Sequence, residues 1–93
     1  GKHKYNIFFI NEVTGRLNTL KIGDINYSDY LKSGDKERKR LYLIRHQLRE
    51  DWIDLYSKGA WSRYLLWGEK TLKKSIKFME KKFNIKIEYI DLN

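Results

Sequence analysis

Six Lys or Arg side chains fall within the fifteen residues from Asp35 to Arg49, and all three tryptophans follow at Trp52, Trp61 and Trp67. Cations neutralise phosphates, and flat apolar rings stack on bases, so this neighbourhood has the chemistry of a nucleic-acid ligand rather than of a reaction. On a helix of about 100° per residue, Arg38, Lys39, Tyr42, Arg45, His46 and Arg49 group together, beside a stripe of Leu41, Ile44 and Leu48 expected to face the core. Arginine adds a planar fork of donors that suits phosphate. The plain alternative is a solvated charged face, partly balanced by Glu37 and Glu50.

A second basic face is expected downstream. Leu72, Ile76, Met79 and Phe83 form an apolar stripe, with Lys73, Lys74, Lys77 and Lys81 opposite it. Phe78 falls off that stripe, between Lys74 and Lys82, where it either stacks on a ligand or packs beneath a neighbouring element; packing is the expectation, since an exposed Phe is costly. Trp61, Tyr64, Leu65 and Trp67 crowd a short helix. At least two of the tryptophans are expected in the core, leaving Trp67 or Tyr64 as a ligand platform with Arg63 beside it. Trp, Tyr and Arg also serve protein partners.

Catalytic and metal chemistry finds little support. There is no cysteine, hence no disulfide or thiolate site, and the two histidines, His3 and His46, cannot build a multi-His centre. No glycine loop of the phosphate-cradling type occurs. Arg40 and His46 fit a loose Arg-to-His spacing found in some helical ribonucleases, a pattern that any basic helix with one histidine meets often. Asp51 and Asp54 near Trp52 suit turns better than Mg²⁺. The expectation is a non-enzymatic protein without catalytic residues, metal or cofactor.

The elements that must position these groups can be placed along the chain. Residues 5–10 read as a strand, 11–16 as a turn with Gly15 at positive φ, and 17–22 as a second strand, together a hairpin. Residues 24–34 read as a loop. Asp35 caps a helix over 36–50, a short helix over 60–67 stops at Gly68, and Thr71 caps a third helix over 72–83 with Asn84 at its end. The alternation of residues 85–92 reads as a closing strand. The expected fold is α+β in the order β-β-α-α-α-β: one domain over 1–93, with a three-stranded sheet and helices on one face.

The net charge of +8 on 93 residues favours polyanionic partners. It is concentrated in two segments, with six Lys/Arg against three Asp/Glu over 35–50 and six against two over 69–83. No apolar run approaches the roughly 18 residues of a membrane span, so no membrane partner is expected. No secretory signal is visible at the start, and Tyr5 breaks the pattern that would make Gly1 a myristoylation site.

Several segments carry a resemblance: Tyr27-Ser28-Asp29-Tyr30, Gly34-Asp35-x-Glu37-Arg38-Lys39, Arg45-His46-x-x-Arg49-Glu50-Asp51-Trp52, Gly59-Ala60-Trp61-Ser62-Arg63-Tyr64-Leu65-Leu66-Trp67, Thr71-Leu72-Lys73-x-Ser75-Ile76 and Lys82-Phe83-Asn84-Ile85. Together they resemble a family of short basic, uncharacterised proteins of the large nucleocytoplasmic DNA viruses, the giant viruses. The resemblance covers about two-thirds of the chain, and the hairpin matches in character only. Family members often carry Pro before the capping Thr, where this chain has Lys70. The resemblance implies a viral protein placed in the virion or at a cytoplasmic or nuclear replication site of the host. It implies no activity and no site residues.

Residues and resemblance together give the expectation of a basic protein that binds viral DNA, in preference to RNA, by phosphate contacts with aromatic stacking. The residues expected to bind are Arg38, Lys39, Tyr42, Arg45, His46, Arg49, Arg63, Trp67, Lys73, Lys74, Lys77 and Lys81. The alternative is a structural or adaptor protein of the virion that binds another viral protein.

Overall fold

The computed structural model describes residues 2–91. Gly1, and Leu92 at the end of the expected closing strand, lie outside the described residues. Strands β1 (His3–Ile10) and β2 (Leu17–Asp24) pair antiparallel, from His3 opposite Asp24 to Ile10 opposite Leu17. Alternation turns Tyr5, Ile7, Leu20 and Ile22 towards the core, while Phe8, Ile10 and Leu17 stay exposed on the other face. At the turn the Asn11 side chain accepts from the N–H groups of Val13 and Thr14, and Gly15 takes φ 73°, as its sequence context implies.

The segment expected to be a loop contains one helical turn, α1 (Tyr30–Ser33). Asp29, 3% exposed, holds it: one carboxylate oxygen accepts from the Lys32 N–H at 2.9 Å and the other meets Lys4 Nζ on β1. Helix α2 (Lys36–His46) follows, its first N–H groups capped by Asp35 as expected. It ends four residues before the expected Glu50 and gives way to a turn over 47–49, in which the N–H groups of Arg49 and Glu50 share the His46 carbonyl.

The inward face of α2 also differs from the expectation. Leu41, Ile44 and Leu48 are 43%, 49% and 92% exposed, whereas Tyr42 is 7% exposed. The helix is rolled so that Lys39, Tyr42, Leu43 and His46 face inward. A tyrosine ring removes more apolar area from water than a leucine, and here it finds ring partners on both faces.

Helix α3 (Lys58–Trp61), capped by Ser57, continues into a wider π-helical turn over Ser62–Leu66, which closes through Trp67 N–H to the Ser62 carbonyl at 3.2 Å. Trp61, Tyr64, Leu65 and Leu66 form the core with Ile22 of β2 and Met79 of α4. Helix α4 (Leu72–Phe83) has its expected Thr71 cap and a left-handed Asn84 at its end. Met79 is fully buried within the expected stripe, and Lys73, Lys74, Lys77 and Lys81 are exposed. No helix among the described residues is long and apolar enough to cross a membrane.

The expected three-stranded sheet does not form. The sheet has two strands, and residues 85–91 carry no ladder, so the order among the described residues is β-β-α-α-α-α. The reason is competition for backbone groups. The Ile87 N–H donates to the Glu80 carboxylate at 2.9 Å and the Ile85 N–H to the Glu80 carbonyl at 3.2 Å, which tie this segment to α4 while Ile85 and Ile87 pack on the core. Between it and β1 lies a groove of about 910 Å³, crossed at one point by the edge-on contact of Tyr5 with Tyr89.

Candidate functional site

Five of the residues expected to bind ligand line one cleft of about 540 Å³: Arg38, Tyr42, Arg45 and His46 from α2, and Trp67 from the end of the π-helical turn. The opposite wall comes from the β2–α1 connection, through Asp24, Tyr27, Ser28 and Asp29, with Lys4 of β1. Positions 38, 42 and 45 recur at helical spacing, so one face of α2 supplies the cations and the ring between them.

The rings form a three-membered ladder. Tyr42 stacks on Trp67 with centroids 4.5 Å apart and planes 5° from parallel, and on His46 at 4.3 Å and 27°. Tyr42 is therefore covered on both faces and cannot also stack on a ligand. Burial pushes its phenol pKa well above the usual tyrosine range, helped by the nearby Glu50 carboxylate. His46 is the half-exposed outer ring. Its Nδ1 lies 3.3 Å from Glu50 Oε1, an oxygen that also accepts from Trp52 Nε1 at 3.3 Å.

Lys39 and Arg63, both among the residues expected to bind, hold the backbone that carries Trp67. Lys39 Nζ donates to the Gly68 carbonyl at 2.6 Å and lies 4.8 Å from the Tyr30 ring centroid. Arg63 Nη1 donates to the Trp67 carbonyl at 3.2 Å, and its guanidinium packs on the rings of Trp52 and Tyr64. Both cations serve carbonyls freed where a helical segment ends. Burial lowers the pKa of each, and for Lys39 the charge of Arg63 acts in the same direction. Arg63 Nε is buried without a hydrogen-bond partner.

Arg49 is exposed beyond the end of α2 and does not line the cleft; nor do Lys73, Lys74, Lys77 and Lys81 of α4. Arg40 is engaged elsewhere, with Nε and Nη2 both on the Glu37 carboxylate at the surface, so the Arg40/His46 pair is not brought together. Asp51 and Asp54 each accept from the N–H two residues on, the turn role expected of them. No group of three or more His, Cys, Asp or Glu among the described residues could hold a metal ion. Of the tryptophans, Trp61 is buried, while Trp52 and Trp67 are half-buried against the core. Phe78 is 44% exposed yet stacks on Tyr64 at 5.7 Å.

The wall opposite α2 was missed by sequence reasoning. Lys4 lies just ahead of the expected first strand, and its ammonium reaches the Tyr27 carbonyl and the Asp29 carboxylate. An Asp immediately before an aromatic residue is a helix-start signal that could have pointed to Asp29. With Lys4, Lys39 and Arg63 engaged, Arg38 and Arg45 are the cations at the cleft with no ion-pair or hydrogen-bond partner among the described residues. The site combines two unengaged guanidiniums with the open end of a ring ladder. That is an arrangement for holding an anion beside a flat group.

Residues 1–46, just under half of the chain, match the family model described as a family of unknown function (DUF5754). The match covers the hairpin, α1 and α2, and so overlaps the resembling motifs only from Tyr27 to His46. No curated protein and no solved structure matches the chain.

Proposed function

We propose that this chain is a non-enzymatic nucleic-acid-binding protein that takes DNA in preference to RNA. The observation that carries this reading is the pair of unengaged guanidiniums, Arg38 and Arg45, on the rim of a cleft that holds a ring ladder. Phosphates lie against these two arginines, with Arg49 as a further contact beyond the cleft. The exposed lysines of α4 add a second, sequence-independent attraction. Lys39 and Arg63 have no part in phosphate binding. The motif resemblance supports a viral context for this binding, in the virion or at a replication site in the host cytoplasm or nucleus.

The test is a binding titration with DNA and RNA at several salt concentrations, for the parent chain and Arg38→Ala/Arg45→Ala. Loss of two phosphate contacts should weaken binding for all sequences alike and flatten the log–log salt slope by about two. Unchanged affinity in the double variant would overturn the assignment.

One observation favours a second reading, an adaptor for another viral protein. Leu41, Ile44 and Leu48 form an outward apolar stripe on and just beyond α2, flanked by Arg40 and Arg45. Such a stripe would suit an apolar partner with acidic flanks. A complex that persists above about 0.5 M salt would favour this reading, because screening weakens a mainly ionic DNA contact.

A further inference from the structure

We infer that the cleft seats one unpaired nucleotide, its base stacked on the outer face of His46 and its phosphates held between Arg38 and Arg45. The inference rests on the nucleic-acid reading above and adds to it a preference for single strands.

The ring ladder sets the base position. Trp67 and Tyr42 are stacked with nearly parallel planes, and His46 continues the stack at 4.3 Å from Tyr42. Tyr42 covers one face of His46, and no ring among the described residues stacks on the other. Tyr42 packs against the inner face of the imidazole, and the Glu50 carboxylate, which accepts from Trp52 Nε1, lies 3.3 Å from its Nδ1, so the outermost ring already has its neighbours before any ligand arrives. A pre-positioned ring loses little freedom on binding. The next member of such a ladder is another flat, polarisable ring, and every nucleobase offers one.

The charges of the cleft set the direction of the nucleotide. Arg38 and Arg45 lie about 10 Å apart along α2, at a rise of about 1.5 Å per residue, on either side of Tyr42. The other polar lining groups include Ser28, the Asp29 carboxylate neutralised by Lys4, and Glu50. The carboxylates repel a phosphate and accept from the amino groups of a base edge, as the Ser28 hydroxyl also can. A phosphate therefore goes to the arginines and the base to the His46 side.

A duplex cannot satisfy this site at the same cost. Each base in a duplex has both faces covered by its neighbours and must be unstacked and unpaired to enter a cleft. Phosphate contacts at Arg38 and Arg45 remain open to a duplex, and so duplexes still bind, less tightly.

The test is fluorescence anisotropy with an end-labelled 12-nucleotide DNA strand and the matching 12-base-pair duplex, using the full chain, His46→Ala, His46→Phe and Arg38→Ala/Arg45→Ala. Circular dichroism checks that each variant keeps the parent fold. The parent should bind the single strand roughly tenfold more tightly than the duplex. His46→Ala should weaken single-strand binding by roughly five- to a hundredfold, the worth of one base stack, and bring the single-strand to duplex ratio close to one. His46→Phe keeps a ring face and should restore most of the ratio. The double arginine variant should weaken both ligands. Equal binding of strand and duplex by the parent, or a ratio untouched by His46→Ala, would overturn the inference while leaving the phosphate-binding reading standing. Absence of binding to either ligand at low salt would overturn that reading first.

Discussion

The rings of Tyr42 and Trp67 lie 4.5 Å apart and 5° from parallel, joining α2 to the end of the π-helical turn across 25 positions of sequence. The contact sets the roll of α2 and holds the cleft wall together. Tyr42→Ala should cost about 3–5 kcal/mol of stability, as for other large aromatic deletions. Tyr42→Phe keeps the stack and should cost less than about 1.5 kcal/mol. Urea denaturation followed by circular dichroism distinguishes the two.

Alkaline pH should act through the same residue. The folded-state pKa of Tyr42 is raised by burial, so the folded protein keeps its phenol proton where the unfolded chain, near the ordinary value of about 10, has begun to lose it. Above that pH the unfolded state binds fewer protons than the folded state, and stability falls until the pH passes the raised folded value. Melting temperature should therefore be level on the acid side of about pH 10 for this group and decline beyond it. Tyr42→Phe should decline less steeply. Tyr5, raised in the same direction first by burial and then by Tyr89 and Asp29, should leave a remaining slope.

Gly68 closes the π-helical turn in a space with no room for a side chain. A Cβ built there falls 2.3 Å from the Tyr64 carbonyl oxygen, a backbone atom that cannot swing aside. Gly68→Ala should cost about 2–4 kcal/mol and shift Trp67, with a change in near-ultraviolet circular dichroism at the tryptophan bands. An unaltered spectrum and unaltered stability would show that the turn relaxes more freely than its geometry implies.

Local chemistry was legible in the sequence and distant competition was not. Asp35, Thr71 and Asn84 sit where expected, and Gly15 has its positive φ, because a cap or a turn is decided by residues within a few positions. The face of α2 was not so decided. Leu41, Ile44 and Leu48 recur at helical spacing, but so do Lys39, Tyr42, Leu43 and His46, and Trp67, remote in sequence, selects the second set. Alternation over 85–92 predicted a closing strand, but residues 85–91 form none, and Ile85 and Ile87 pack on the core instead. It could not foresee that the Glu80 side chain would take the Ile87 N–H. The carbonyl contacts of Lys39 and Arg63 were not legible, because a basic side chain looks the same in sequence whether it meets solvent or a carbonyl end.

The unladdered groove beside β1 bears on how the protein behaves as a colloid. Among the described residues the outer row of β1 backbone groups faces this groove without a strand partner, and Phe8 and Ile10 are exposed beside it. Such an edge invites pairing with another chain. At a net charge of +8, copies repel one another across dilute buffer. Near 1 M salt the screening length falls to about 3 Å, and that repulsion disappears at all but contact range. A concentrated stock should therefore stay clear longer at low salt, where charge protects the open edge, than at high salt, where edge-to-edge association is open to it.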